Sequence, residues 1–210
     1  MRQLLRPAVL LLMGLLARSL PLACQDNTAD LRFLEADEDG HLTYQNFIYS
    51  RNLAGGKWMF QGFFLRLPRI DYKEFGLGLG YRLAVTRGIG WYLLGNFAHA
   101  SDEDYFQPAL LAFKVEGKTT GSLFLLHYAP LGGHGIDQWL VDPIEVQYNL
   151  TGRLSLGGSG YFYRPAGGSW FHKIGPKLSL ADAHGASELA VRKVNQGGGA
   201  EIQLRRIFVF

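Results

Sequence analysis

His99 and Ser101 are two residues apart, so on a strand they share one face, and an imidazole beside a hydroxyl is the minimum set for deprotonating a serine for attack on an ester. A neighbouring amide can orient such an imidazole. If the chain reverses over Ser101 to Asp104 with the turn centred near Glu103, Gln107 comes opposite His99 and supplies that amide. A second, larger set carries charge rather than a nucleophile: Glu74, Glu145, Glu188 and Glu201 with Arg82, Arg153, Lys173, Lys177, Arg192 and Arg205. Facing a common interior, these ten would leave a modest positive excess that favours small anions. The same groups could instead pair across a narrow interior and close it, because buried charges need partners.

Other constellations are weaker. Asp37-Glu38-Asp39-Gly40 lacks the further acidic ligand that a calcium loop of the helix-loop-helix type requires, and reads as a turn. Gly76-Leu77-Gly78-Leu79-Gly80 alternates inside a strand and opens no helix, so small interior-facing glycines explain it better than a nucleotide loop. Cys24 is the single cysteine, which excludes an intrachain disulfide and a cysteine-based metal site. No metal ligand set and no cofactor motif is read. The sequence pI of 9.0 points toward nucleic acid only until the basic residues are located. Arg2, Arg6 and Arg18 fall in the first 24 residues with no acid beside them, and without them the bases and acids balance. The remaining Lys and Arg form no stripe, so nucleic-acid binding is set aside.

The elements that must position these residues are strands. Met1 to Cys24 reads as a secretory signal, with Arg2 and Arg6 before an apolar stretch from Leu4 to Leu16. That stretch is shorter than the roughly 20 residues of a transmembrane helix. Leu20-Pro21-Leu22-Ala23-Cys24 resembles a bacterial lipobox, although Pro21 and Leu22 depart from it; ordinary cleavage near Ala23 or Cys24 is the alternative. Residues 25–210 then form one domain with 27 Gly in the whole chain, divided into short alternating segments separated by Gly-, Pro- or Asp-containing turns.

Candidate strands lie near 29–36, 41–51, 57–67, 73–85, 89–101, 105–115, 119–129, 137–150, 152–163, 169–182, 187–195 and 200–210. In the fourth, Phe75, Leu77, Leu79 and Tyr81 oppose Glu74, Gly76, Gly78, Gly80 and Arg82. In the eighth, Ile144, Val146, Tyr148 and Leu150 oppose Glu145, Gln147 and Asn149. Pro176 lacks a ladder donor and predicts a local irregularity in the tenth. Segments around 58–67 and 123–128 are apolar on both faces and fit the alternation less well. The expectation is an all-β fold: a closed antiparallel transmembrane barrel of about 12 strands, with 10 the alternative. A soluble β-sandwich or small lipid-binding barrel would turn the apolar face inward instead.

Ile202, Leu204, Phe208 and Phe210 share a face and end the chain on phenylalanine. This resembles the C-terminal strand of bacterial outer-membrane barrels, with Arg206 as a departure. The resemblance implies an outer-membrane location, contact with membrane lipids, and recognition of the last strand by the barrel-assembly machinery. His99-x-Ser101 is similar to the spacing in outer-membrane phospholipase A and the lipid A deacylases, although Asp102-Glu103-Asp104 and Gln107 depart from the phospholipase pattern. The leading functional expectation is a small porin-like channel for small solutes, anionic ones among them. A lipid-directed acyl hydrolase and a structural or interaction barrel are the alternatives.

Overall fold

The computed structural model describes residues 27–37, 39–101, 103–133, 135–196 and 199–209. The expected signal segment, Cys24, Asp102 and Phe210 lie outside them. Alternating polar and apolar residues bounded by turn formers give twelve strands: β1 (Asn27–Asp37), β2 (Leu42–Leu53), β3 (Trp58–Leu67), β4 (Tyr72–Arg82), β5 (Ile89–Ala100), β6 (Glu103–Glu116), β7 (Thr119–Pro130), β8 (Gln138–Asn149), β9 (Leu154–Pro165), β10 (Phe171–Asp182), β11 (Gly185–Val194) and β12 (Ala200–Val209). Each pairs antiparallel with its chain neighbours, and β1 pairs with β12, so the sheet closes with no free edge. No helix among the described residues is long and apolar enough to cross a membrane, while a closed barrel satisfies its backbone within the wall.

The pleat sorts side chains into two environments. Leu79, Leu93, Phe97, Val146, Ile174 and Leu180 are exposed on the outside, whereas Glu74, Asn96, Gln107, Lys177, Arg192 and Glu201 are buried inside. This inversion relative to a soluble domain is what a hydrocarbon solvent demands. Outward Trp58 and Tyr81 meet edge to face at 4.8 Å near the rim that carries the described chain ends, as in an interfacial girdle.

Three local features bear on the sequence reading. The fourth strand stops at Arg82, and Leu83 to Val85 lie beyond it, exposed. The segments that were apolar on both faces do so because the interior wall of β3–β8 is itself apolar: Met59, Tyr92, Leu94, Ala98, Ala109, Leu126 and Leu140 form a buried cluster inside the barrel. At β10 the ladder to β11 skips from Ile174 to Lys177, as the missing donor of Pro176 predicts. There β10 also approaches its neighbour closely, since a Cβ on Gly175 would fall 1.8 Å from the Val191 carbonyl oxygen.

Candidate functional site

The interior has two halves. Opposite the apolar cluster, β8–β12 and β1 contribute a continuous set of ion pairs. Lys177 on β10 places its Nζ 2.7 Å from Glu145 on β8 and 2.8 Å from Glu188 on β11. Arg205 on β12 donates to Asp30 on β1 and reaches the same two glutamates at 3.3 and 3.2 Å. β8 and β12 are not neighbours, so Arg205 and Glu145 join across the lumen rather than along the wall. Nearer the opposite rim, Glu201 receives Lys173, Arg192 at 2.9 Å and the Thr43 hydroxyl at 2.9 Å. Lys173 also lies over the Tyr161 ring, 5.0 Å from its centroid.

Glu74 forms a separate centre on the apolar side. The Gln107 amide donates to it, as do the hydroxyls of Tyr72 at 2.9 Å and Tyr128 at 3.2 Å. Between the halves lies a cavity of about 40 Å³ lined by Tyr44, Asn46, Gln61, Asn96, Tyr128 and Asp142. The side-chain oxygens of Asn46 and Asn96 are buried there without a protein donor. The cavity is large enough for water beside these oxygens, while Ile48, Phe63, Leu65, Phe124, Leu126 and Leu140 make the rest of its lining apolar.

Eight of the ten charged residues singled out in the sequence come together inside: Glu74, Glu145, Lys173, Lys177, Glu188, Arg192, Glu201 and Arg205. Arg82 and Arg153 do not. Arg82 ends β4 and is exposed at the rim, where its amide donates to the Lys57 carbonyl, and Arg153 is exposed in the turn after β8. Asp30 and Asp142 join the interior instead, Asp142 through the Tyr44 hydroxyl at 3.3 Å. Among the residues whose side chains are described, four cations therefore face six carboxylates, and the expected positive excess is absent. The sequence carried a signal for both acids, since each sits in a candidate strand, but β8 has an irregular register between Val141 and Ile144 that alternation alone does not place.

The serine–histidine set is assembled differently from the expectation. Ser101, at φ 50°, begins a two-residue turn, and the register sets His99 opposite Asp104 and Ala100 opposite Glu103. Gln107 pairs instead with Asn96 and points inward, because the register is shifted by three residues and an odd shift flips the face. His99 remains outward with its Nδ1 2.7 Å from Asp104. Asp37, Asp39 and His41 bring ligand atoms within 4.8 Å of one another at the same rim, yet Arg69 already holds Asp37 at 3.0 Å, so the turn reading stands. Arg206, the departure in the last strand, lies outward near its end and is bound by Asp182 at 2.7 Å and 2.9 Å.

A closed barrel with an apolar outside and a charged, water-suited inside defines a bacterial outer-membrane β-barrel with the porin fold. No family model matches the chain and no curated protein matches its sequence. Among solved structures it is similar to the KdgM porin, with a TM-score of 0.64, 13% identity, and coverage of 87% of this chain and 99% of that one. The KdgM porin in complex with disordered oligogalacturonate gives the same TM-score at 14% identity and the same coverage. The NanC porin matches with a TM-score of 0.59 and 6% identity over 87% and 99% of the two chains. At these identities the likeness is one of backbone.

Proposed function

We propose that the protein is a narrow porin-like channel for small hydrophilic solutes. The supporting observation is the interior itself: a cavity that carries buried polar groups, beside two clusters of ion pairs, Lys177 with Arg205 and their carboxylates, and Glu201 with Lys173 and Arg192. Such pairs keep charged side chains ordered, and where Arg205 meets Glu145 across the lumen they narrow the bore.

Oligogalacturonate on the similar KdgM porin favours acidic solutes, as does the sequence-based expectation of an anion path. The side chains favour the other sign. Backbone likeness at 13% identity carries no side-chain charge, whereas among the described side chains six interior carboxylates against four cations raise the local potential for cations. The channel is therefore assigned to small neutral and cationic solutes. Proteoliposome swelling tests it: a small sugar or a monovalent cation should enter faster than into protein-free liposomes, and faster than a sugar acid of similar size. Entry no faster than into empty liposomes contradicts the channel, and preferred entry of the sugar acid contradicts the charge assignment.

One observation favours a second reading, a lipid-directed acyl hydrolase. The hydrogen bond from His99 Nδ1 to Asp104 leaves Nε2 for a hydroxyl, and the exposed Ser101 begins the turn two residues beyond it. Lyso-lipid release from phospholipid micelles that disappears in Ser101→Ala would support it; equal release by both proteins would remove it.

A further inference from the structure

The outward face of the β3–β4 hairpin carries an arrangement that transport through the interior does not use. Arg66 on β3 and Lys73 on β4 are directly opposite in the register. Both are exposed and outward, since Leu65 and Glu74 at the alternate positions are buried. Like charges placed opposite each other weaken a sheet unless an anion lies between them. Lys73 has a single partner, the exposed Asp71 at 3.1 Å, and among the described residues no ion pair holds Arg66.

One rung further from the rim, the same face is aromatic. Phe64 is opposite Phe75, Phe47 is opposite Phe64 on β2, and His99 is opposite Phe75 on β5 with ring centroids 5.4 Å apart. Four rings thus span four adjacent strands, a row of about 15 Å at the usual strand spacing. The basic pair stands about 7 Å closer to the rim, two residues along each strand. Elsewhere at this level the polar groups are already balanced, His99 by Asp104 and His127 by Asp137 at 3.1 Å.

We propose that this face binds a phosphorylated lipid of the leaflet it adjoins, with Arg66 and Lys73 clamping the phosphate and the aromatic row receiving the upper acyl chains. Guanidinium and ammonium groups suit a phosphate monoester, the guanidinium as a two-pronged donor. A free phosphate would leave the aromatic row without a role, so the source is a lipid headgroup. The inference rests on the outer-membrane location and is independent of whether the interior conducts.

The test uses the full chain refolded in detergent, with foldedness checked by heat-dependent gel mobility, and titration of diphosphoryl lipid A read by native mass spectrometry. Binding by the unaltered protein should weaken about tenfold or more in Arg66→Gln with Lys73→Gln. It should persist in Arg66→Lys with Lys73→Arg, and in Lys118→Gln at the opposite rim. Dephosphorylated lipid A should bind no better to the unaltered protein than to the double glutamine variant. Equal binding by the double glutamine variant overturns the proposal, as does an equal loss in Lys118→Gln. Displacement by millimolar inorganic phosphate overturns the lipid assignment.

Discussion

Lys177 ties the charged half of the barrel together, because its buried ammonium serves Glu145 and Glu188 at once and both glutamates are shared with Arg205. Removing one member of such a set leaves uncompensated charge where no water can reach it freely. Lys177→Met should therefore cost roughly 3–5 kcal/mol of stability, read from urea unfolding of the folded barrel in detergent. Adding Glu188→Gln should recover a large part of that loss, since it takes the set from one cation among three carboxylates to one among two and so restores its original net charge. A variant as stable as the unaltered protein would show that the pairs are solvated rather than structural. Alternation in the sequence exposed these residues as a face, but it held no record of who meets whom. Glu145 and Arg205 are 60 positions apart and meet only because the sheet closes.

Elements were more legible than pairings. Strand faces follow from a period of two, which no tertiary context overrides while lipid lies on one side and a lumen on the other. Registers depend on turn geometry, and there the reading was weakest. A turn beginning at Ser101 rather than one centred near Glu103 moved Gln107 from His99 to Asn96 and from outside to inside. The apolar wall of β3–β8 also hid from pattern analysis, because a strand that is apolar on both faces has no period to read. Close approach of strands gives a prediction at this scale. Gly175→Val sets a side chain against the Val191 carbonyl, which is backbone and cannot rotate away. This substitution should abolish the heat-dependent mobility shift that marks a closed barrel. Gly117→Val is the control: that glycine lies in an exposed turn with open space around it, and although its φ of 58° makes valine strained there, barrel closure should survive. A folded Gly175→Val barrel would mean that β10 and β11 can separate without opening the sheet.

At the scale of the whole molecule, closure turns an alternating sheet into a wall between two solvents. The outside presents apolar groups to hydrocarbon, and among the described side chains the inside gathers four cations and six carboxylates beside a cavity of about 40 Å³. The positive excess expected from the sequence is not found among the described side chains, because two arginines with the correct alternation, Arg82 and Arg153, sit where the strands end. Position along a strand decides whether a side chain meets lumen or rim, and a one-dimensional pattern reports the face more faithfully than the depth. The interior that results is ordered by ion pairs and, among the described side chains, richer in carboxylates than in cations.

The most direct measurement is single-channel current from the refolded protein in a planar bilayer under a potassium chloride gradient, with protein-free detergent as the control. Discrete steps with a reversal potential of the cation-preferring sign are predicted, and that potential should shift further toward cations in Lys177→Met. A barrel shown to be folded that gives no steps above the detergent control would contradict the channel at the centre of this account.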